Sequence, residues 1–136
     1  MKKLLYFTSL FALTFLASCG QDPEKSRAYL NEGIDYHYAS QYEEAIEKFE
    51  KAIKTDKNNY EAYYYLGCSY MNIQQKEDAL NCWLKSVGIK PDYADGYFNI
   101  GLYYRINNDR DMACYYFKLA EQYGRSCMQD YTKHCY

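Results

Sequence analysis

Apolar and aromatic residues recur along the chain with the spacing of an amphipathic helix. One stripe, with members four and then three residues apart, consists of Tyr29, Gly33 and Tyr36. A second stripe with the same rhythm follows a short polar break and consists of Ala45, Phe49 and Ala52. Such spacing places each stripe on one side of a helix. The pattern therefore predicts a helix, a tight turn and an antiparallel helix.

This unit recurs at a constant interval, which we call the repeat period and define as the step from Gly33 to Gly67. The small, tyrosine, alanine and bulky aromatic positions of the three copies are Gly33, Gly67 and Gly101; Tyr36, Tyr70 and Tyr104; Ala45, Ala79 and Ala113; and Phe49, Trp83 and Phe117. A fixed period of this length is typical of a stacked repeat array. The small residues allow two helix backbones to approach closely, and the aromatic rings fill the space beside them.

The pattern resembles the tetratricopeptide repeat over residues 26–127, including the proline that often ends a unit, here Pro91. The resemblance implies an all-α α-solenoid of three helix-turn-helix repeats at 26–59, 60–93 and 94–127, followed by a short C-terminal cap at 128–136. Lys57 and Arg125 depart from the family pattern at the proline position, and Glu32 takes a position that is normally aliphatic. The last alanine position of the second repeat holds Ser86.

The N-terminal segment has the features of an export signal. Lys2 and Lys3 precede an apolar run at 4–17, which is too short to span a bilayer comfortably. The run ends in Leu-Ala-Ser-Cys at 16–19, which resembles the lipobox of bacterial lipoproteins. That resemblance implies cleavage after residue 18, a lipid on Cys19, and a membrane location, with the outer membrane favoured. An ordinary cleaved signal is the alternative, and we expect residues 19–25 to form a flexible tether.

Composition and charge narrow the functional classes. The chain has 136 residues, enough for one domain, and its 19 tyrosines are explained in part by the repeat positions. When Lys2 and Lys3 are left out, the chain has 14 basic and 18 acidic residues. This excess of negative charge argues against nucleic acid or anionic lipid as a partner. Phosphate-binding glycine loops, nucleophile elbows and His-Glu metal helices are absent from the sequence. We therefore expect no enzyme, no cofactor and no metal.

Members of the resembled family bind peptides or proteins on the face lined by the first helix of each repeat. Rotating by one residue, about 100°, from the packing stripe defines this face. Its residues are Leu30, Ile34, His37 and Tyr38; Tyr64, Cys68, Met71 and Asn72; and Phe98, Leu102, Arg105 and Ile106. The basic and asparagine residues that some members use to bind a carboxylate are missing at Leu30, Ile34 and Tyr64. We expect recognition of an apolar segment, with His37 and Arg105 as polar contacts; packing between neighbouring first helices is the alternative.

The cysteines leave several pairings open. An exported protein is in a disulfide-permissive compartment, and five cysteines remain beside Cys19: Cys68, Cys82, Cys114, Cys127 and Cys135. Cys82 and Cys114 lie on consecutive second helices, and Cys127 can reach Cys135 only if the tail turns back. A metal site at Cys127, His134 and Cys135 lacks a recognised ligand spacing. Cys68 is expected to be a buried apolar residue.

The favoured function is a lipid-anchored adaptor that holds a protein or peptide partner at the cell envelope. The alternative is an accessory lipoprotein that binds carbohydrate or another small ligand on exposed tyrosines, and a redox role of the tail cysteines comes third. The partner's identity is open, and the sequence does not indicate a homo-oligomer.

Overall fold

The computed structural model describes residues 20–125 and Cys135, and this part of the chain is helical and contains no strand. Its elements are α1 (Pro23–Tyr38), α2 (Tyr42–Thr55), α3 (Tyr60–Asn72), α4 (Lys76–Ile89), α5 (Ala94–Ile106) and α6 (Arg110–Gln122). They form three antiparallel hairpins, α1/α2, α3/α4 and α5/α6, stacked in chain order. The predicted all-α solenoid of three repeats is confirmed. Across the described residues, no helix is both long and apolar enough to cross a membrane.

The export signal at 1–18, the lipidation site Cys19 and all of the predicted cap except Cys135 lie outside the described residues. Within the described residues, the predicted tether is shorter than expected, because α1 begins at Pro23 and not at residue 26. Proline suits the first turn of a helix, where its missing N–H has no partner to lose. The side chain of Asp22 caps this turn by accepting a hydrogen bond of 2.9 Å from the Lys25 N–H.

One contact closes each hairpin. The glycine of the first helix lies against the large aromatic ring of the second, in the pairs Gly33–Phe49, Gly67–Trp83 and Gly101–Phe117. A Cβ atom added to these glycines would lie 2.5, 2.6 and 2.5 Å from the ring atoms, which is closer than van der Waals contact allows. Glycine is therefore required at these positions by the space available, and not by the turn conformation.

The turns inside the hairpins share an unusual backbone conformation. Ser40, Gln74 and Asn108, each one repeat period after the last, have φ values of 60°, 67° and 60°. In the second repeat, the N–H of the residue after the turn, Gln75, donates to the carbonyl of Tyr70 at 2.9 Å. This is the hydrogen-bond pattern of a left-handed helix terminus, and it reverses the chain within a short loop.

Each second helix packs on the first helix of the next repeat, so α2 contacts α3 and α4 contacts α5.

Seryl hydroxyls strengthen the hairpins at one end: Ser26 Oγ donates to the Ala52 carbonyl at 2.8 Å, and Ser86 Oγ donates to the Tyr60 carbonyl at 2.8 Å. Ser86, which departs from the usual alanine, therefore bonds its own first helix. Glu32 on the outer side of α1 pairs with Lys48, so its charge is compensated at the surface.

We predict that Gly67→Leu lowers the free energy of unfolding by several kcal/mol, because its side chain has no space beside Trp83. Thermal or urea unfolding of purified protein measures the effect. Gly88→Leu is the matched control: Gly88 is an exposed glycine of α4 with no atom within 4 Å of an added Cβ. Leucine there should stabilise by about 1 kcal/mol through helix propensity. Equal stability of the Gly67→Leu variant and the parent would contradict the proposed contact.

Candidate functional site

The candidate site is the face formed by the first helices α1, α3 and α5, which we call the groove and define by the twelve residues predicted for it. Its most accessible apolar side chains are at the C-terminal ends of α1 and α5. Tyr38 is 75% exposed and Ile106 is 53% exposed. Met71, near the end of α3, is half-buried, and Asn72 beside it is exposed. This edge therefore presents aromatic and aliphatic surface to solvent along all three repeats.

Two predicted groove residues do not present a contact surface. Leu30 is 2% exposed and belongs to the core that α1 and α2 share with α3, while Phe98 is 8% exposed. These two residues serve packing and not partner contact, which was the alternative interpretation of this face. They lie in the N-terminal halves of their helices, where neighbouring elements cover them. Ile34, Cys68 and Leu102 are partly buried at equivalent positions of the three repeats.

His37 lies in an aromatic surround and bridges two repeats. Its ring contacts Tyr38, Tyr42 and Tyr65 edge-on, with centroid distances of 5.7, 5.4 and 6.2 Å. Its Nδ1 lies 2.9 Å from Ser69 Oγ on α3, within hydrogen-bond distance. Burial lowers the pKa of His37, so the neutral ring is favoured at pH 7. One ring nitrogen of His37, a residue expected to contact a partner, is therefore already used in a hydrogen bond between α1 and α3.

The middle of the groove contains a semi-buried polar cluster around Tyr64 and Cys68. The Tyr64 ring meets Tyr93 edge-to-face with centroids 5.1 Å apart, and Asn99 Nδ2 lies 3.5 Å from Cys68 Sγ. Burial raises the pKa of Tyr64 and raises that of Cys68 to about 11. Both groups are therefore neutral at physiological pH. Asn99 was missed by the sequence analysis, although it lies on the same helix as Phe98.

Charged pairs line the opposite, N-terminal edge of the first helices. Arg27 of α1 lies 3.5 Å from Glu61 of α3, and Asp95 of α5 pairs with Arg125. The Arg125 guanidinium also stacks on the Phe98 ring at 3.7 Å. These residues were not predicted, but Arg27, Glu61 and Asp95 recur with the repeat period, which could have identified them. Because the charges pair with one another, this edge offers little net charge to a ligand.

Cys114 and Cys135 form a disulfide with their Cα atoms 5.5 Å apart, and Cys68 and Cys82 are free thiols. The pairings considered from the sequence, Cys82 with Cys114 and Cys127 with Cys135, are therefore wrong. Cys135 comes back to the face of α6 and is not held within the tail. Its sulfur is also no longer available as a metal ligand. The residues that the structure describes contain no group of three side chains suited to metal binding.

Many of the tyrosines stack on one another. Tyr104 and Tyr116 are parallel with centroids 5.6 Å apart, and Tyr97 stacks on Tyr123 at 5.5 Å. Rings stacked in this way offer edges and hydroxyl groups to solvent, since other rings cover their faces. Among the tyrosines that the structure describes, the most exposed rings, Tyr38 and Tyr115, lie on different hairpins. A sugar-binding platform needs open ring faces side by side, so this arrangement does not favour one.

Comparison with known proteins agrees with the repeat assignment. A family model described as TPR repeat matches residues 33–74, and one described as tetratricopeptide repeat matches residues 60–93. No curated protein matches the chain. These matches, together with the fold, show that the chain contains tetratricopeptide repeats.

Solved structures with the same fold include the crystal structure of MamA, with a TM-score of 0.70, 29% identity, and coverage of 85% of this chain and 64% of that one. The first TPR of Spaghetti (RPAP3) bound to the HSP90 peptide SRMEEVD has a TM-score of 0.78, 16% identity, and coverage of 85% and 91%. A chain of the CopN–Scc3 complex has a TM-score of 0.70, 15% identity, and coverage of 77% and 62%. This chain therefore spans less than two thirds of the MamA chain that it matches.

We predict that Cys68 and Cys82 react slowly with alkylating reagents at pH 8. Burial raises the pKa of Cys68 to about 11 and that of Cys82 to about 12, so about one Cys68 thiol in a thousand is a thiolate at that pH. Labelling with iodoacetamide, read by mass spectrometry of the peptides, should accelerate about tenfold per pH unit between pH 8 and 10. The urea-unfolded chain is the control and should label quickly at pH 8. Fast labelling of folded Cys68 at pH 8 would show that its thiol is not buried as described.

Proposed function

We propose that this chain, which contains tetratricopeptide repeats, is a protein-interaction module that binds an apolar segment of a partner protein along the groove. The observation that carries the proposal is the exposure of Tyr38 and Ile106 at equivalent positions of the first and third repeats. Large apolar side chains that are exposed on a folded domain mark interaction sites when they form a contiguous strip. Half-buried Met71 lies at the adjoining position of the middle repeat.

The chemistry of the groove determines which partners fit. Ile34, Met71, Leu102 and Ile106 offer aliphatic contact, and Tyr38 offers a rigid aromatic ring of the kind that dominates binding energy at interfaces. Arg105 is the cation among the twelve groove residues. We infer a mainly apolar ligand with a polar or acidic group near the third repeat.

A solved structure supports binding on this fold. The first TPR of Spaghetti (RPAP3) is bound to a peptide of HSP90, SRMEEVD, and has the same fold as this chain. That peptide is acidic, whereas the basic and asparagine residues that some members use to bind a carboxylate are missing here at Leu30, Ile34 and Tyr64. The mode of binding would therefore be shared, and the partner would differ.

The second part of the proposal is that a lipid on Cys19 anchors the module to a bacterial membrane, with the outer membrane favoured and its periplasmic or surface face left open. The backbone N–H of Asp22 donates to the carbonyl of Thr55 at 3.0 Å, so the chain is held against the first hairpin from Asp22 onwards. Gly20 and Gln21 are then the residues that separate the lipidated cysteine from the folded domain. A link of this length would keep the first hairpin close to the bilayer surface.

The disulfide is consistent with export. Bonds such as Cys114–Cys135 persist in oxidising compartments and are rare in the cytosol of most bacteria. Together with the signal-like segment at 1–18, this favours an envelope location. We assign no catalytic role to the module, and the stacking of the tyrosines disfavours the alternative of carbohydrate recognition.

We predict that Tyr38→Ala combined with Ile106→Ala weakens partner binding at least tenfold without unfolding the domain, since both side chains are exposed. Photo-cross-linking in cells, from a reactive amino acid at position 71, would identify the bound protein. Titration of the purified protein with that partner would then give the affinity.

Tyr115→Ala is the matched control, because Tyr115 is 56% exposed but lies on α6, outside the groove. It should leave the affinity unchanged. If the Tyr115 variant loses binding while the double variant retains it, the binding site lies on another face and the groove assignment is wrong.

We also predict that Cys19→Ala releases the protein from membranes, because alanine lacks the sulfur through which the diacylglycerol would be attached. Fractionation of cells and metabolic labelling with a palmitate analogue measure retention and acylation. Cys127→Ala is the control and should leave both unchanged. Continued membrane retention of the Cys19→Ala protein, with its signal removed, would contradict the anchor but not the groove.

A further inference from the structure

A cleft of about 430 Å³ lies on α6 beside the bond between Cys114 and Cys135. Both cysteines are partly and not fully buried, so their sulfurs can be reached from solvent. A cleft of this volume is within the range of sites that bind small molecules. The described residues that line it are Arg110, Asp111, Cys114, Tyr115, Lys118 and Cys135.

The charged side chains of the cleft are placed around Cys114 by the period of α6. Arg110 lies four residues before Cys114 and Lys118 lies four residues after it, so the three side chains share one side of the helix. Asp111 lies three residues before the cysteine, at the edge of the same side. Among the described lining residues, two are therefore cationic and one is anionic, and the cleft presents a net positive charge to the bond.

These cations bear on the chemistry of the disulfide. A positive charge beside a sulfur favours the thiolate over the thiol, and a thiolate is the group that leaves when a disulfide is opened. Arg110 and Lys118 therefore favour departure of the Cys114 sulfur, and they also attract an incoming anion. The ring of Tyr115, which is 56% exposed, adds an apolar wall against which a short hydrocarbon chain can pack.

From the position of the bond and the charges around it, we propose that this cleft is a thiol-exchange site that takes a small anionic thiol, one that carries a carboxylate or sulfonate group. The site is separate from the groove, because Cys114 lies on a second helix and the groove is formed by first helices. It therefore does not depend on the proposed binding of a protein partner.

The exchange is balanced in both directions. The thiolate of the small molecule attacks Cys135 Sγ, a bond forms between these two sulfurs, the Cys114–Cys135 bond breaks, and its electron pair stays on Cys114 as a thiolate. In the reverse step the Cys114 thiolate attacks Cys135 Sγ, the small thiolate leaves with the electron pair, and the disulfide is restored. Neither direction needs a further oxidant or reductant.

Exchange kinetics with two small thiols of similar length and opposite charge test the proposal. The probes are 2-mercaptoethanesulfonate, which is anionic, and cysteamine, which is cationic. The rate of opening of the disulfide is measured per thiolate and divided by the rate for the same protein unfolded in urea, where the cleft is lost. We expect the folded protein to favour the anionic probe about tenfold over the cationic probe at low salt, and added salt should reduce this preference.

Substitutions in the cleft show whether its charges cause the preference. Arg110→Gln and Lys118→Gln should each reduce it several-fold. Lys85→Gln is the matched control, because Lys85 is an exposed lysine of α4 that does not line the cleft, and it should leave the preference unchanged. An equal relative rate for the two probes, or the same preference in the Arg110 and Lys118 variants as in the parent, would overturn the proposal.

Mass spectrometry after brief exposure to 2-mercaptoethanesulfonate and an acid quench identifies the sulfur that is attacked. Trypsin places Cys114 in peptide 111–118 and Cys135 in peptide 134–136. We expect the probe on Cys135 and a free thiol on Cys114, both in the parent and in a Cys127→Ser variant, which removes a competing thiol. Attachment of the probe to Cys114, or oxidised protein without a Cys114–Cys135 bond, would contradict the assignment.

Discussion

The contact between a glycine and an aromatic ring determines the geometry on which the whole molecule depends. Where Gly67 lies against Trp83, the ring of the second helix packs on the backbone of the first, and the contact recurs in the other two repeats with a phenylalanine. Because the three hairpins share this contact, they are expected to stack in a regular way. First helices therefore follow one another along one face. The groove is a consequence of this regular displacement and not of any residue that lines it.

The same regularity divides the groove into a buried part and an accessible part. Leu30 and Phe98, in the N-terminal halves of α1 and α5, are covered by neighbouring elements, whereas Tyr38 and Ile106, at the last turns, are exposed. Stability and the proposed recognition thus use opposite ends of the same helices. Substitutions at the accessible end can change a partner's affinity with little effect on folding, which is the property that a repeat scaffold offers to a binding module.

The sequence predicted the repeats well because their period is carried by residue size, which can be read directly. It did not predict the left-handed turns, since Ser40, Gln74 and Asn108 are chemically different and share only their position and their backbone conformation. The disulfide was missed because pairing depends on the path of the chain in space. Arg125 was noted only as a departure from proline, although its contact with Phe98 explains the departure. What escaped prediction therefore includes the turns, the start of α1 and contacts such as Arg27–Glu61, which residue size at the repeat positions does not encode.

The two ends of the array differ in a way that bears on its proposed role. At the first end, Glu32 occupies the position where Leu66 and Ile100 are buried in the other repeats, and it pairs with Lys48 at the surface. A charged pair at that position opposes stacking of another repeat or of a second copy, because both charges would have to leave water. At the other end, Cys114 is already bonded to Cys135. With stacking opposed at the first end and Cys114 already bonded at the other, the proposed partner is expected to bind along the groove, on the side of the solenoid.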